Sequence, residues 1–484
     1  MPTATMNRRE LLASLAAGSL VRRSSAKSPD RPNLIFILAD DLGYAEVGCY
    51  GQRKIRTPKI DRLATEGLRF TDAYAGCTVC APSRSVLMTG YHSGHTSVRS
   101  NPGGTPLLAS DLTLASVLRH GGYRTGGFGK WGLGDVGTDG VPSKHGFDEF
   151  YGYLNQAHAH FHYPKFLYDN EKPSALPGNE NGGRGTYAND AMVRRALDFI
   201  GRNRHNRFFC YMPLTIPHGE FLVPGDSLAE YRGRFPEDRP FHVANGHLAD
   251  QPEMRATYAG MVSRLDRYVG QVIDLLAQLR LEEDTLVIFA SDNGAALPAM
   301  GENFFESNGP FRGFKSNFYE GGIRVPAIAR WKGKIAPGQV SHLPWSFQDF
   351  FPTAAELAGV EPPKGLDGIS VVPELLGEKA AGRRQQHHEY LYWELPSYDS
   401  TSGTFPPELP KAGLRYGDWK AVRSKPNGPV ELYDLASDPG ESRDVAAANP
   451  AVLARIQSIL KEVRTAPRPQ KEPPNPWWVK SGTA

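Results

Sequence analysis

The chain has 484 residues, of which 40% are hydrophobic and 22% are charged, and its formal net charge is only +3. This length and composition predict a large buried core that is divided into two or three domains. No run of 18 apolar residues occurs, which excludes a membrane-spanning helix, and the low net charge gives no general affinity for nucleic acid.

The first 26 residues have the pattern of an export signal. Arg8-Arg9 precede a short apolar run that ends at Val21, and small residues follow up to Ala26. A paired arginine before such a run is typical of a bacterial twin-arginine signal, with an ordinary charged helix as the alternative. Cleavage after Ala26 would remove four arginines and one glutamate and leave a nearly neutral chain. We therefore expect a periplasmic or secreted protein that uses the twin-arginine export machinery and has no membrane anchor.

The next part of the chain alternates between two hydrophobic patterns. Continuous apolar runs predict strands buried on both faces at residues 33–39, 123–128, 207–215 and 285–290. Apolar residues at helical spacing lie between them, most clearly at residues 114–118, 191–200 and 258–279. This alternation predicts an α/β fold over residues 27–375, in which helices sandwich a large, mainly parallel sheet.

The pattern changes after about residue 366. Short, aromatic-rich strands with turn residues between them are predicted at residues 389–393, 412–416, 419–423 and 430–433. An amphipathic helix is predicted at residues 450–463. Residues 376–465 therefore predict a smaller antiparallel sheet plus helix, and residues 466–484 form a proline-rich tail.

Polar side chains follow each predicted strand of the large sheet. Asp40 and Asp41 follow the first strand, and the other three strands lead to Lys130, to His218 and to the Asp292-Asn293 pair. Ligands of parallel sheets bind beyond the carboxyl ends of the strands, so these groups predict one site for an anion and a metal ion. Because the candidate metal ligands are all oxygen donors, calcium or magnesium is favoured over zinc. Considered alone, Asp40-Asp41 would be interpreted as a helix cap, and Asp292-Asn293-Gly294 as a turn.

The most specific motif of the chain begins at Cys80. Cys80-Ala81-Pro82-Ser83-Arg84 is followed by Leu87-Met88-Thr89-Gly90. This sequence resembles the C-x-P-S-R…T-G signature of the type I, formylglycine-dependent sulfatases, which are arylsulfatase-like members of the alkaline phosphatase superfamily. Further matching segments lie at 129–134 (G-K-W-x-L-G) and 312–326, and the resemblance extends over roughly residues 33–445. A redox or zinc role for the C-x-x-C spacing of Cys77 and Cys80 is disfavoured, because the chain has no second ligand pair.

The resemblance implies a role for each candidate residue. Cys80 would be oxidised by a maturation enzyme to formylglycine (3-oxoalanine), whose hydrated form offers one hydroxyl for attack on sulfur and a second for release of sulfate. Arg84 would help to hold this group, and His218 would protonate the departing alcohol. Lys130 and Lys315 would bind the sulfate oxygens. One Ca²⁺ ion, with Mg²⁺ as the less favoured alternative, would be held by Asp40, Asp41, Cys80, Asp292 and Asn293.

The chain departs from the family pattern at Gly132. Many sulfatases have a histidine at this position, which contacts the formylglycine hydroxyl, so the base of the second step is unassigned. Alternate spacing on an extended segment would place His158, His160 and His162 on one face, and we expect His158 or His160 to contact substrate or act as this base. The alternative is a second metal site, and His95 is a weaker candidate.

These features together predict an exported, calcium-dependent sulfatase that hydrolyses an O-sulfate ester to an alcohol and sulfate. A sulfated carbohydrate is favoured over a simple aryl sulfate as the substrate. Two alternatives remain open: a phosphonate monoester or phosphodiester hydrolase of the same superfamily, and a sulfated-glycan binder that has no catalytic activity.

Overall fold

A computed structural model describes residues 31–101, 106–242, 249–296, 303–399 and 404–468 of the chain. The predicted export signal and residues 469–484 of the proline-rich tail lie outside the described residues, so both stay predictions. Among the described helices, none combines the length and the apolar composition needed to cross a bilayer. The proposed boundaries at residues 375 and 465 also stay predictions.

The described residues contain sixteen strands. In chain order they are β1 (Asn33–Asp40), β2 (Leu68–Phe70), β3 (Ala73–Tyr74), β4 (Arg124–Lys130), β5 (Glu149–Tyr153), β6 (Phe166–Asp169), β7 (Lys172–Ala175), β8 (Phe208–Pro217), β9 (Thr285–Ser291), β10 (Ala327–Arg330), β11 (Gln339–Ser341), β12 (Trp345–Ser346), β13 (Leu391–Leu395), β14 (Lys411–Tyr416), β15 (Trp419–Arg423) and β16 (Glu431–Asp434).

The α-helices of the described residues lie mostly between these strands. They are α1 (Pro58–Thr65), α2 (Cys80–Thr89), α3 (Leu114–His120), α4 (Ala188–Arg202), α5 (Gly225–Ala229), α6 (Met254–Gln278), α7 (Glu320–Ile323), α8 (Phe350–Leu357), α9 (Val372–Leu376), α10 (Glu378–Ala381) and α11 (Pro450–Glu462).

Ten strands form the large sheet, in the order β11-β2-β10-β9-β1-β8-β4-β5-β6-β7. The five central strands, from β9 to β5, run parallel to one another, whereas β10, β6 and β7 add antiparallel pairings towards the edges. The prediction of a large, mainly parallel sheet is confirmed. Parallel central strands bring their carboxyl ends to one edge, which is where the candidate site residues follow.

Strand β1 is apolar from Leu34 to Ala39 because both of its faces are buried. Ile35 and Ile37 pack into a core on one face of the sheet, which includes residues of α4 and α6. Leu34, Phe36 and Leu38 pack into a second core on the other face, with residues of α2, α3 and α8. Because successive side chains of a strand point to opposite faces, both sets must be apolar.

The predicted C-terminal sheet is also confirmed. Strands β13 to β16 form an antiparallel sheet of four strands in sequence order. Helix α11 covers one face of it, where Ile456 and Ile459 join Leu414 and Leu432 in an apolar cluster. The opposite face contributes Trp393 and Tyr433 to a cluster shared with the region around α7.

A buried ion network joins the C-terminal sheet to helix α7. The Lys420 Nζ of β15 lies 2.6 Å from Glu320 Oε1 at the start of α7 and 3.8 Å from Glu441 Oε1, and all three side chains have no exposed surface. Glu441 Oε2 also accepts a hydrogen bond of 2.6 Å from the Glu320 backbone N–H. Burial would raise the pKa of Glu320, but the charges of Lys420 and Arg324 lower it to about 2. Burial raises the pKa of Glu441 to about 8, against the charge of Lys420.

Replacing Lys420 with methionine will leave Glu320 without its nearest cation. We expect the free energy of unfolding to fall by about 3–5 kcal/mol, because removal of one partner of a buried ion pair is strongly destabilising and leaves Arg324, at 3.1 Å, to offset the charge of Glu320. Urea unfolding followed by circular dichroism measures the change. Lys425→Met, at an exposed position beyond the end of β15, is the control. Equal stability of the two variants would contradict a structural role for the Lys420 network.

Candidate active site

The carboxyl edge of the large sheet collects the predicted site residues. Asp40 is the last residue of β1, and Lys130 is the last residue of β4. His218 directly follows β8, and Asp292 directly follows β9. Potential ligand atoms of Asp40, Asp41, Cys80 and His218 all lie within 4.8 Å of one another.

Cys80 is the first residue of α2 and is almost completely buried. Its Sγ lies 3.4 Å from Asp40 Oδ1 and 3.4 Å from Lys315 Nζ. Burial, followed by the charge of Asp40, raises the pKa of the Cys80 thiol, against the charge of Lys130. Since the thiolate is the reactive form of cysteine, the unmodified thiol is a poor nucleophile in this environment.

Arg84 lies one helical turn after Cys80 and is fully buried. Its Nε and Nη2 donate to Asp292 Oδ2 at 3.0 and 2.8 Å, and its Nη1 donates to the Lys130 carbonyl at 2.6 Å. Its Nη2 also lies 3.6 Å from Asp40 Oδ2. Arg84 therefore connects α2 to the ends of three strands.

Asp41 has a left-handed backbone conformation with φ of 67°. Asparagine and aspartate enter this region more readily than most residues, and here it lets the chain turn sharply after β1. The Asp41 N–H donates to Asp292 Oδ1 at 3.1 Å, and Lys315 Nζ lies 2.7 Å from Asp41 Oδ1. The His218 Nε2 lies 3.5 Å from Asp41 Oδ2.

Three buried carboxylates and three cations share this edge. Lys130 Nζ lies 2.7 Å from Asp40 Oδ2. Burial alone would raise the pKa of Asp40, but neighbouring positive charges, above all Lys130, hold it well below the usual range. Burial and then the charge of Asp40 raise the pKa of Asp292 to about 6, although Arg84 opposes this. Each added negative charge is therefore costly here unless a cation accompanies it.

The side chain of Asn293 fits a metal ligand. Its Nδ2 donates to Asp41 Oδ1 at 2.8 Å and to the Gly294 carbonyl at 2.9 Å, which fixes the orientation of the amide. Its Oδ1 is buried and has no hydrogen-bond partner among the described residues. A buried carbonyl oxygen beside Asp40, Asp41 and Asp292 completes a set of hard oxygen donors, which suits Ca²⁺ or Mg²⁺.

The three histidines at 158, 160 and 162 do not share one face, so that prediction is wrong. His158–His160 form a 3₁₀ turn, which begins where Asn155 Oδ1 accepts the Ala157 N–H at 2.8 Å. An asparagine side chain that bonds the backbone two residues ahead is a common turn former, and it was the overlooked signal.

Each histidine has a different environment. His158 is fully buried among the rings of Tyr153 and Phe166, and burial lowers its pKa to about 3. His160 stacks on His218 with ring centres 4.6 Å apart, next to the charged cluster. His162 Nε2 lies 3.0 Å from the His218 carbonyl. The structure therefore brings His160 to the site and places His158 in the core.

His95 belongs to another cluster. Its Nδ1 lies 2.9 Å from Asp367 Oδ2, and its ring stacks on His92 at 4.2 Å. His92 Nδ1 accepts the Gly94 N–H at 3.1 Å, so the proton of a neutral His92 is on Nε2. Metal binding at Nε2 requires the opposite tautomer, which favours a hydrogen-bonded cluster over a metal site.

Glu46 supports the site but was not identified from the sequence. Its Oε2 accepts the Gly43 N–H at 2.7 Å, and its Oε1 accepts the Tyr258 hydroxyl at 2.6 Å. This bridge fixes the loop that follows Asp41 to helix α6. No local pattern indicates it, because Tyr258 is 212 residues away in the chain.

Comparison with known proteins agrees with this geometry. A family model described as Sulfatase matches residues 32–360, and one described as N-sulphoglucosamine sulphohydrolase, C-terminal, matches residues 310–466. Human arylsulfatase A is 33% identical over 93% of this chain and 90% of its own length. Human N-acetylgalactosamine-6-sulfatase is 33% identical over 91% of this chain and 87% of its own length.

A solved structure extends the likeness to the fold. The crystal structure of Ps i-CgsB aligns with a TM-score of 0.76 and 28% identity, covering 94% of this chain and 100% of that chain. A second structure of Ps i-CgsB, in complex with k-i-k-neocarrahexaose, aligns with a TM-score of 0.74. The Sulfatase family model covers most of the chain, and the two human relatives align along nearly all of it. This chain therefore belongs to the sulfatase family and is a sulfuric ester hydrolase.

Proposed function

We propose that this chain is a calcium-dependent O-sulfatase whose nucleophile is formylglycine made from Cys80. The observation that carries the proposal is the position of Cys80, at the start of α2 between Asp40 and Lys315. The hydrated aldehyde at this position would supply one hydroxyl to attack sulfur and a second to release sulfate. A bound Ca²⁺, held by Asp40, Asp41, Asp292, Asn293 and residue 80, would make such a hydroxyl more acidic.

The charges of the cluster fit a sulfate ester. Asp40, Asp41 and Asp292 are balanced by Arg84, Lys130 and Lys315, so a divalent cation would give the edge a net positive charge. A sulfate monoester carries one negative charge. Lys130 and Lys315 bind its oxygens and stabilise the charge that develops on them during transfer. Arg84 holds Asp292 and the Lys130 backbone in place for this task.

His218 is the proposed general acid. Its Nδ1 contacts the Gly219 carbonyl oxygen, which only accepts hydrogen bonds, so Nδ1 carries a proton. The other nitrogen, Nε2, faces Asp41 Oδ2 at 3.5 Å. In the doubly protonated ring, Nε2 would carry the second proton and transfer it to the departing alcohol oxygen, which leaves a neutral His218 with its proton on Nδ1. His160 stacks against the ring and holds its orientation, in addition to its proposed contact with substrate.

A sulfated carbohydrate is the proposed substrate class. One relative is named for N-acetylgalactosamine-6-sulfate, and Ps i-CgsB was solved with a neocarrahexaose. The twin-arginine pattern of residues 1–26 supports export to the periplasm or medium, where such polymers occur. A formylglycine-generating enzyme and the export machinery are then the proposed partners.

Oxidation of Cys80 is the first prediction to test. In protein from a host that makes formylglycine, mass spectrometry of the peptide around position 80 should show sulfur and two hydrogens replaced by one oxygen. The same protein should hydrolyse sulfate esters faster than phosphodiesters of the same alcohol, whereas Cys80→Ala should do neither. Tight binding of sulfated glycans without turnover, by correctly matured protein from this host, would support a binder. Faster hydrolysis of phosphodiesters would support the alternative of a phosphonate monoester or phosphodiester hydrolase.

Cation binding should stabilise the fold. After treatment with a chelator, Ca²⁺ at 100 times its Kd should add about 2.7 kcal/mol to the free energy of unfolding, because the ion binds the native state alone. Differential scanning calorimetry will detect this as a rise in Tm. Asn293→Ala and Asp41→Asn should reduce the rise, while Asn206→Ala, at an exposed position, should keep it. A wild-type Tm unaffected by Ca²⁺ and Mg²⁺ would refute the metal site.

The effect of His218→Ala should depend on the leaving group. A sugar sulfate needs a proton on its departing oxygen, so kcat should fall roughly 100- to 10,000-fold. A nitrophenyl sulfate leaves readily without that proton and should lose far less activity. His205→Ala, at an exposed position after α4, is the matched control. Equal losses on both substrates would remove His218 from the role of general acid.

A further inference from the structure

The side chain of Gln156 has an unusual environment. Only 5% of the residue is exposed, and neither Oε1 nor Nε2 has a hydrogen-bond partner among the described residues. A primary amide has two N–H donors and a carbonyl acceptor, and burying them unpaired is unfavourable. The neighbouring Asn155, in contrast, accepts from the Ala157 N–H and donates to Asp135 Oδ2 at 3.1 Å. Among the described residues, Gln156 is thus a buried amide whose oxygen and nitrogen both have no hydrogen-bond partner.

This amide lies on a turn that borders the candidate active site. The Trp131 N–H donates to the Tyr153 carbonyl at 2.8 Å, and the Gly132 N–H donates to the Leu154 carbonyl at 3.1 Å. The segments that leave β4 and β5 therefore run side by side, directly after Lys130. The same turn ends at His160, which stacks on His218.

The amide occupies the space of a side chain at position 132. Gly132 has a φ of 73°, and a Cβ added to it would lie 2.3 Å from Gln156 Nε2 and 2.9 Å from its Cδ. Such distances are well inside van der Waals contact, so a side chain at 132 and the observed Gln156 conformation exclude each other. Position 132, two residues after Lys130, thus has no side chain, and the unpaired amide of Gln156 fills the space that one would occupy.

We propose that Gln156 is a substrate-binding residue whose amide hydrogen-bonds oxygen atoms of the bound sulfate ester. The N–H groups would donate to a sulfate oxygen or to the hydroxyl next to it, and the carbonyl would accept from a hydroxyl. Because the amide is neutral, it adds these contacts without changing the charge balance around Lys130. The proposal rests on the proposed sulfatase function.

Gln156→Met separates this role from a structural one. Methionine has a similar length and shape but cannot form the hydrogen bonds. We expect kcat/KM for the sulfate ester to fall roughly 10- to 100-fold, while Tm stays equal or rises because buried unpaired polar atoms have been removed. A variant with unchanged kcat/KM would overturn the proposal, as would one whose activity falls only in step with a lower Tm.

Substitutions at Gly132 provide a second test. Gly132→Ala should displace the amide and lower kcat/KM, whereas Gly122→Ala is the matched control, with a φ of 87° and no atom within 4 Å of the added Cβ. In the Gln156→Ala background, Gly132→Ala should cause little further loss, because the displaced group is absent. Equal activity of the Gly132→Ala and Gly122→Ala single variants would also overturn the proposal.

Inhibition by inorganic sulfate identifies the contacted oxygen. Weaker inhibition of Gln156→Met places the contact on the sulfate group, and unchanged inhibition with weaker substrate use places it on the alcohol. If mature wild-type protein hydrolyses no sulfate ester, the proposed function fails. In that case, the rise in Tm that inorganic sulfate causes still tests the role of Gln156. An equal rise in wild type and in Gln156→Met would count against a contact between the amide and sulfate.

Discussion

The guanidinium of Arg84 holds together the edge of the sheet on which the site depends. It is fully buried, yet its donors bind Asp292 and the Lys130 carbonyl, and it approaches Asp40. Three carboxylates gathered at the ends of parallel strands repel one another, and burial strengthens that repulsion. Arg84 offsets it from α2, Lys130 from the end of β4 and Lys315 from the segment before α7. Cys80 is placed among these charges because it precedes Arg84 by one turn of the same helix.

Such a cluster is costly for the fold, so the surrounding structure must stabilise it. Apolar cores on both faces of the large sheet supply that stability, and β1 contributes alternate side chains to each. The candidate site residues at the strand ends are then held in place by the packed sheet, although their own surroundings are energetically unfavourable. The unpaired atoms Asn293 Oδ1 and those of the Gln156 amide lie at this same edge. Unpaired polar atoms are unfavourable in a fold alone, and they are consistent with a site that is completed by ligands.

The C-terminal sheet is part of this arrangement. Lys420 and Glu441 bind Glu320, which begins the short helix five residues after Lys315. The Lys315 segment is also fixed by backbone hydrogen bonds from Lys315 to Ala295 and from Ser316 to Thr78. The segment of Lys315, which faces Cys80, is therefore held by the loop after β9, by the residues before α2 and, through Glu320, by the C-terminal sheet.

Much of this protein was determined by the sequence alone. Apolar runs and helical spacing predicted four of the five central parallel strands, helices α3, α4, α6 and α11, and the four C-terminal strands, because burial of one or both faces makes the apolar residues of an element periodic or continuous. Strand β5 was not predicted. The Cys80 motif and the polar groups at strand ends gave the candidate site, since parallel strands bring their carboxyl ends together. The turn at His158–His160 was missed because a short-range Asn155 hydrogen bond overrides the alternating pattern.

Only the tertiary structure decided the contacts between distant residues. The bridges from Glu46 to Tyr258 and from Lys420 to Glu320 join positions 212 and 100 residues apart, and local sequence carries no signal of such pairs. Likewise, the sequence shows that Gly132 lacks a side chain, but the amide that fills the space comes from the end of another strand. Local patterns record which face of an element is buried. Which side chains meet there depends on how the elements pack, and that is fixed only in three dimensions.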